Sequence, residues 1–172
     1  MADLYACLIA ALALGTIIAG WTPRRERAPR LWPSVVGLGG VIAGLLAVGV
    51  VSGTLIRHLI QVTPAALALI LVASGVRHGR AAAVPILTFW AVLMGAIWLF
   101  LLGVASIVRG SFTPTEIALT IVIASACLIG LTRGARPTAN LSRVSRTAAA
   151  TASALCQLAA LWASMQPWAN GH

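Results

Sequence analysis

Side chains able to move a proton or hold an ion are few in this sequence. Glu116 is the only carboxylate beside the apolar body of the chain, the others being Asp3 and Glu26. It stands in Thr113-Pro114-Thr115-Glu116, where a Thr N-cap and a Glu three residues on can satisfy each other's backbone N–H groups. The helix dipole favours an anion at the same place. That spacing predicts a structural cap, while an ionisable residue at membrane depth is also a candidate proton or cation site. Arg57, His58 and Gln61 fall within one helical turn, and the topology derived below puts Arg109 and Glu116 at a similar depth. These five form the candidate polar cluster of the outer face. Acid–base work by His58 and Glu116 requires both to reach one proton.

The other reactive types offer less. His58 and His78 are expected at opposite membrane faces, which argues against a bis-His haem or a metal site built from both. Arg77-His78-Gly79-Arg80 reads as interfacial charge. Cys7, Cys127 and Cys156 are isolated within apolar runs, without the pairing that thiol exchange or zinc requires. Metal-protease, nucleophile-elbow and phosphate-loop motifs are missing. No carboxylate lies deep in an apolar run to serve as a proton relay. The sequence therefore predicts no cofactor, no metal and no catalytic residue.

What must position these side chains is a set of long apolar runs. The 172 residues are 60% hydrophobic and 9% charged, against about 25% charged in a soluble domain. Such a chain cannot cover a water-facing surface. A helix needs about 20 apolar residues to cross a bilayer, and six runs approach that length: 4–20, 34–55, 63–82, 84–108, 114–131 and 147–165. The runs are continuous, without the alternation of a β-barrel. The fold class is all-α, a six-helix transmembrane bundle in one domain. In the run at 63–82, Thr63 before Pro64 predicts a helix start, matching Thr113 before Pro114 fifty residues later.

The charge orients the bundle. All 12 basic residues are Arg, giving a formal charge of +9. They lie in or beside the gaps between runs, which reads as topogenic charge and sets nucleic-acid binding aside. Counted over alternate gaps, ten fall on one side, and Arg57 and Arg109 on the other. Cytoplasmic loops carry the excess, so both termini are expected outside. Asp3 precedes the first run and the Arg residues follow it, unlike a cleavable signal peptide. Abundant Ala, Gly, Val and Arg with no Lys points to a bacterial inner membrane.

Small residues dominate the helix-packing signals. Gly40 and Gly44, and again Gly49 and Gly53, stand four apart, a step that lets helices approach closely. The last run is rich in Ala and Ser. These surfaces suit packing within the bundle, against a partner membrane protein or in a homo-oligomer, with the lipid bilayer as surroundings. The function that asks least of the residues is a non-enzymatic membrane subunit or scaffold. The alternatives are a transporter or channel for a small neutral or anionic solute, and a lipid-binding or lipid-modifying protein.

Overall fold

A computed structural model describes residues 31–76, 78–105, 112–134 and 142–169. The expected first run at 4–20 and Arg109 lie outside them. Five α-helices are described: α1 (Trp32–Val51), α2 (Leu55–Ala73), α3 (Gly79–Leu101), α4 (Pro114–Gly134) and α5 (Arg143–Ser164), with a 3₁₀ turn at Pro167–Ala169. The first four are each long and apolar enough to cross a membrane. Large apolar side chains such as Val92, Leu128, Leu155 and Trp162 point outward, as they do in a protein solvated by lipid. The architecture is that of a helical membrane protein.

Three of the helix ends share one device. Gly53, Gly75 and Gly103 have φ of 68°, 70° and 72°, a left-handed conformation that glycine adopts without steric penalty. The N–H of each glycine bonds to the carbonyl three residues back, and the next N–H reaches five back, as in Thr54 N to Gly49 O at 2.9 Å. This pair of bonds closes a helix end and satisfies its last carbonyls.

The device moves two boundaries away from the hydropathy runs. The second run ends at Val51 rather than 55, and α2 begins at Leu55 rather than at Thr63. Pro64 lies inside α2, and Thr63 is no N-cap, because its hydroxyl donates to Leu59 O at 3.0 Å. The likeness between Thr63-Pro64 and Thr113-Pro114 therefore ends at composition. Ala81 and Ala82 belong to α3, not to the end of the run at 63–82. Gly53 is a turn residue, and a Cβ there would meet nothing within 4 Å, so it takes no part in helix packing.

Packing contacts give the helix directions. A Cβ on Gly37 would fall 2.7 Å from Gly130 Cα, one on Gly40 2.6 Å from Ala126 Cβ, and one on Gly44 2.5 Å from Ile123 Cγ1. Rising numbers on α1 meet falling numbers on α4, so the two run antiparallel at backbone contact. Short corners make α1–α2 and α2–α3 hairpins. At the second corner a Cβ on Gly79 would fall 2.7 Å from Val72 N. Bonds from α5 to Gln61 and Ala82, described below, set α5 parallel to α3. The five directions thus alternate along the chain. α3 touches all four other helices, and its Ile86, Leu87 and Trp90 are fully buried.

Gly37→Ala would drive its Cβ into Gly130 Cα and Ala126 O, which are backbone atoms that cannot swing aside. We expect it to lower stability by about 1–3 kcal/mol, the usual cost of overpacking. Gly95→Ala, with nothing within 4 Å, should be neutral or stabilising by up to about 1 kcal/mol. Thermal melts of both variants in detergent check the pair.

Candidate functional site

Arg57, His58 and Glu116 come to one end of the bundle. Arg57 and His58 occupy the first turns of α2 and Glu116 the first turn of α4. The charges of both Arg57 and Glu116 act on the His58 ring. The ring is held within its own hairpin, with Nδ1 3.0 Å from Thr54 O and 3.1 Å from Thr54 Oγ1. Its Cβ lies where a side chain on Gly49 would sit, 3.0 Å away, so Gly49 makes room for His58. Arg57 is half-buried, and its Nε is buried without a hydrogen bond.

Glu116 is engaged as a cap. Its Oε2 accepts from Thr113 N at 2.8 Å and from Thr113 Oγ1 at 2.9 Å, while Glu116 N donates to Thr113 Oγ1 at 3.3 Å. The reciprocal bonding expected from the Thr-x-x-Glu spacing forms, and it occupies one carboxylate oxygen twice. Gln61 leaves the cluster altogether. It is buried and turned to α5, where its Nε2 donates to Ser164 Oγ at 2.9 Å. His78 lies beyond the opposite end of α2 from His58. Both His78 and Arg80 are buried at the α2–α3 corner. Cys127 is buried as a free thiol and Cys156 is half-buried. Among the described residues, no three of His, Cys, Asp and Glu are grouped to hold a metal ion.

A second polar system runs through the interior, where the sequence signalled only a smooth Ala- and Ser-rich face. Ser153, Gln157 and Ser164 are all buried on α5. Ser153 Oγ donates to Ala82 O at 2.5 Å, and Gln157 Nε2 to Gln61 O at 3.4 Å. Both acceptors stand three residues before a proline inside a helix, Pro85 in α3 and Pro64 in α2. A proline ring removes the bond to the carbonyl four residues back, here Ala81 O and Ile60 O, and crowds that turn; Ala82 O and Gln61 O are the carbonyls next to these. The α5 stripe thus bonds to the proline-crowded turn of two helices at once. A signal was present: 153, 157 and 164 are separated by four and seven residues, which is one helical face, and Leu155, Leu158 and Trp162 are exposed on α5.

Two buried atoms of this interior make no hydrogen bond, Gln157 Oε1 and Trp90 Nε1. One can only accept and the other only donate. In comparisons with known proteins, no family model, curated protein or solved structure matches the chain. The functional argument therefore rests on the geometry alone.

Glu116→Gln preserves the reciprocal cap, since Gln serves at that position too, and should leave stability within about 0.5 kcal/mol of the parent. Glu116→Ala should lose about 1 kcal/mol, the usual worth of a cap. Equal losses in detergent melts would show that the charge, and not the cap, is what matters. Ser153→Ala strips Ala82 O of its side-chain donor and should cost about 0.6 kcal/mol, typical of helix–helix hydrogen bonds in membranes. A double-mutant cycle with Pro85→Ala, in which the opened turn regains its backbone bond, should show coupling between the two positions.

Proposed function

We propose that this chain is a six-span protein of a bacterial inner membrane, with both termini outside, acting as a non-enzymatic subunit or scaffold that packs against partner helices. One observation carries the subunit reading. The buried side chains Gln61, Gln157, Ser153 and Ser164 bond helix to helix, which makes them a fastening for the bundle. At the outer end, Thr54 holds His58 and Thr113 holds Glu116, so the titratable groups also have structural partners. Lipid modification through His58 and Glu116 is disfavoured because the Glu116 carboxylate is already engaged.

The orientation is supported by the alternating helix directions together with the Arg positions. The starts of α1, α3 and α5 lie at one end, which gathers the segments bearing ten of the 12 Arg. Arg57 and Arg109 belong to the other end. The expected run at 4–20 adds the sixth crossing and returns the N-terminus to the Arg-poor side.

A transporter or channel for a small neutral or anionic solute is the second reading. It is favoured by the open acceptor on Gln157 and the open donor on Trp90, both buried between helices.

Extraction of the tagged chain from native membranes into polymer-bounded discs, followed by native mass spectrometry, tests the first reading. We expect a complex of fixed stoichiometry with another membrane protein or with itself. A uniformly solitary chain contradicts it. Solute flux in proteoliposomes that is lost on Gln157→Leu, with melting unchanged, would establish the second reading instead.

A further inference from the structure

The side of α1 that turns away from the bundle is built as a helix–helix seam. The inner side is already filled, with α4 closing on Gly37, Gly40 and Gly44. Gly39 differs, because a Cβ there would meet nothing within 4 Å. In steps of four along the same face come Ala43, exposed, and Ala47, half-buried, flanked by half-buried Val36 and exposed Val50. Small residues four apart let a second backbone come close. Large apolar side chains stand outward on other helices, as at Ile121, Val122 and Leu128 on α4 and Leu155, Leu158 and Trp162 on α5.

The chain itself provides a matching surface. The apolar run at 4–20 directly precedes α1 in sequence and carries Ala11, Gly15 and Ala19, the same four-residue step. As a helix its 17 residues would measure about 25 Å, within one turn of the length of α1. The intervening segment at 21–31 holds four Arg and is long enough to turn between antiparallel neighbours. Consecutive elements are usually adjacent in space.

We propose that the run at 4–20 packs antiparallel against the face of α1 formed by Gly39, Ala43 and Ala47, with small residues against small residues, so that α1 is held between it and α4. This rests on the six-span reading, and the experiment separates the two.

In the full chain with Cys7, Cys127 and Cys156 replaced by Ser, Ala11→Cys is combined in turn with Ala43→Cys, Ala47→Cys, Val92→Cys on α3 and Leu158→Cys on α5. Oxidation in membranes should give a reductant-sensitive shift at monomer size for the Ala43 or Ala47 pair and none for the other two. Cross-links to Val92 or Leu158, or no cross-link in any pair, would overturn the proposal. Disulfide-linked dimers of the Ala43→Cys single variant would also overturn it, by assigning the face to a second copy. Impermeant maleimide on Ala2→Cys tests the topology separately. Labelling from the same side as Arg143→Cys ends the six-span reading, whereas labelling from the opposite side with failed cross-links ends only the packing assignment. A measurement without cysteine exchange gives a second check: Gly39→Leu should lower the melting temperature of the detergent-purified chain and Gly95→Leu should not. Equal shifts would contradict a covered Gly39.

Discussion

A backbone carbonyl inside a bilayer has no water to bond to, and leaving it bare costs several kcal/mol. Two helices of this bundle nevertheless carry internal prolines, Pro64 in α2 and Pro85 in α3. At each of these proline-crowded turns α5 adds a side-chain donor, Gln157 to Gln61 O and Ser153 to Ala82 O. α5 is accordingly the least apolar of the helices and has an inside-out character, with polar residues inward and Leu155, Leu158 and Trp162 outward. The polar groups of one helix therefore meet the proline-containing turns of two others.

The second pillar is the backbone contact between α1 and α4. Hydrophobic burial gives little advantage between helices already surrounded by hydrocarbon, so close van der Waals packing has to hold them. Gly37, Gly40 and Gly44 set that distance from one side, and Ala126 and Gly130 from the other. Leu87 of α3 reaches the same place, since a Cβ on Gly130 would fall 2.6 Å from Leu87 Cδ1. The two fastenings meet on α3, which packs on α4 and α5 alike. At one end of the bundle, His58 and Glu116 are tied to Thr54 and Thr113, the first within a helical turn and the second as a cap.

The helical class, the long apolar segments and the Glu116 cap were legible in the sequence because each depends on local spacing. The boundaries around α2 were not. Hydropathy runs straight through Ser52-Gly53-Thr54 and Ser74-Gly75-Val76, while the chain stops its helices there by the left-handed glycine. Thr63-Pro64 has the composition of a helix start, yet the surrounding bundle tolerates Pro64 mid-helix. The five-residue cluster was readable only as far as sequence neighbours go. Arg57 and His58 share a turn and a face with Gln61, but Gln61 lies one turn deeper, where its side chain is bonded to Ser164 of α5. The stripe of Ser153, Gln157 and Ser164 went unread because Ala-rich sequence suggests a featureless surface, although its period was there to count.

The central claim is a lipid-solvated bundle whose α5 keeps its polar side inward. Spin labels placed singly at Leu155, Leu158 and Ala149 in reconstituted vesicles test it directly, by comparing collision with oxygen and with a water-soluble nickel complex. The account predicts that Leu155 and Leu158 are open to oxygen and closed to nickel, and that buried Ala149 is closed to both. Nickel access at Leu155 and Leu158 would place that face in water and contradict the account.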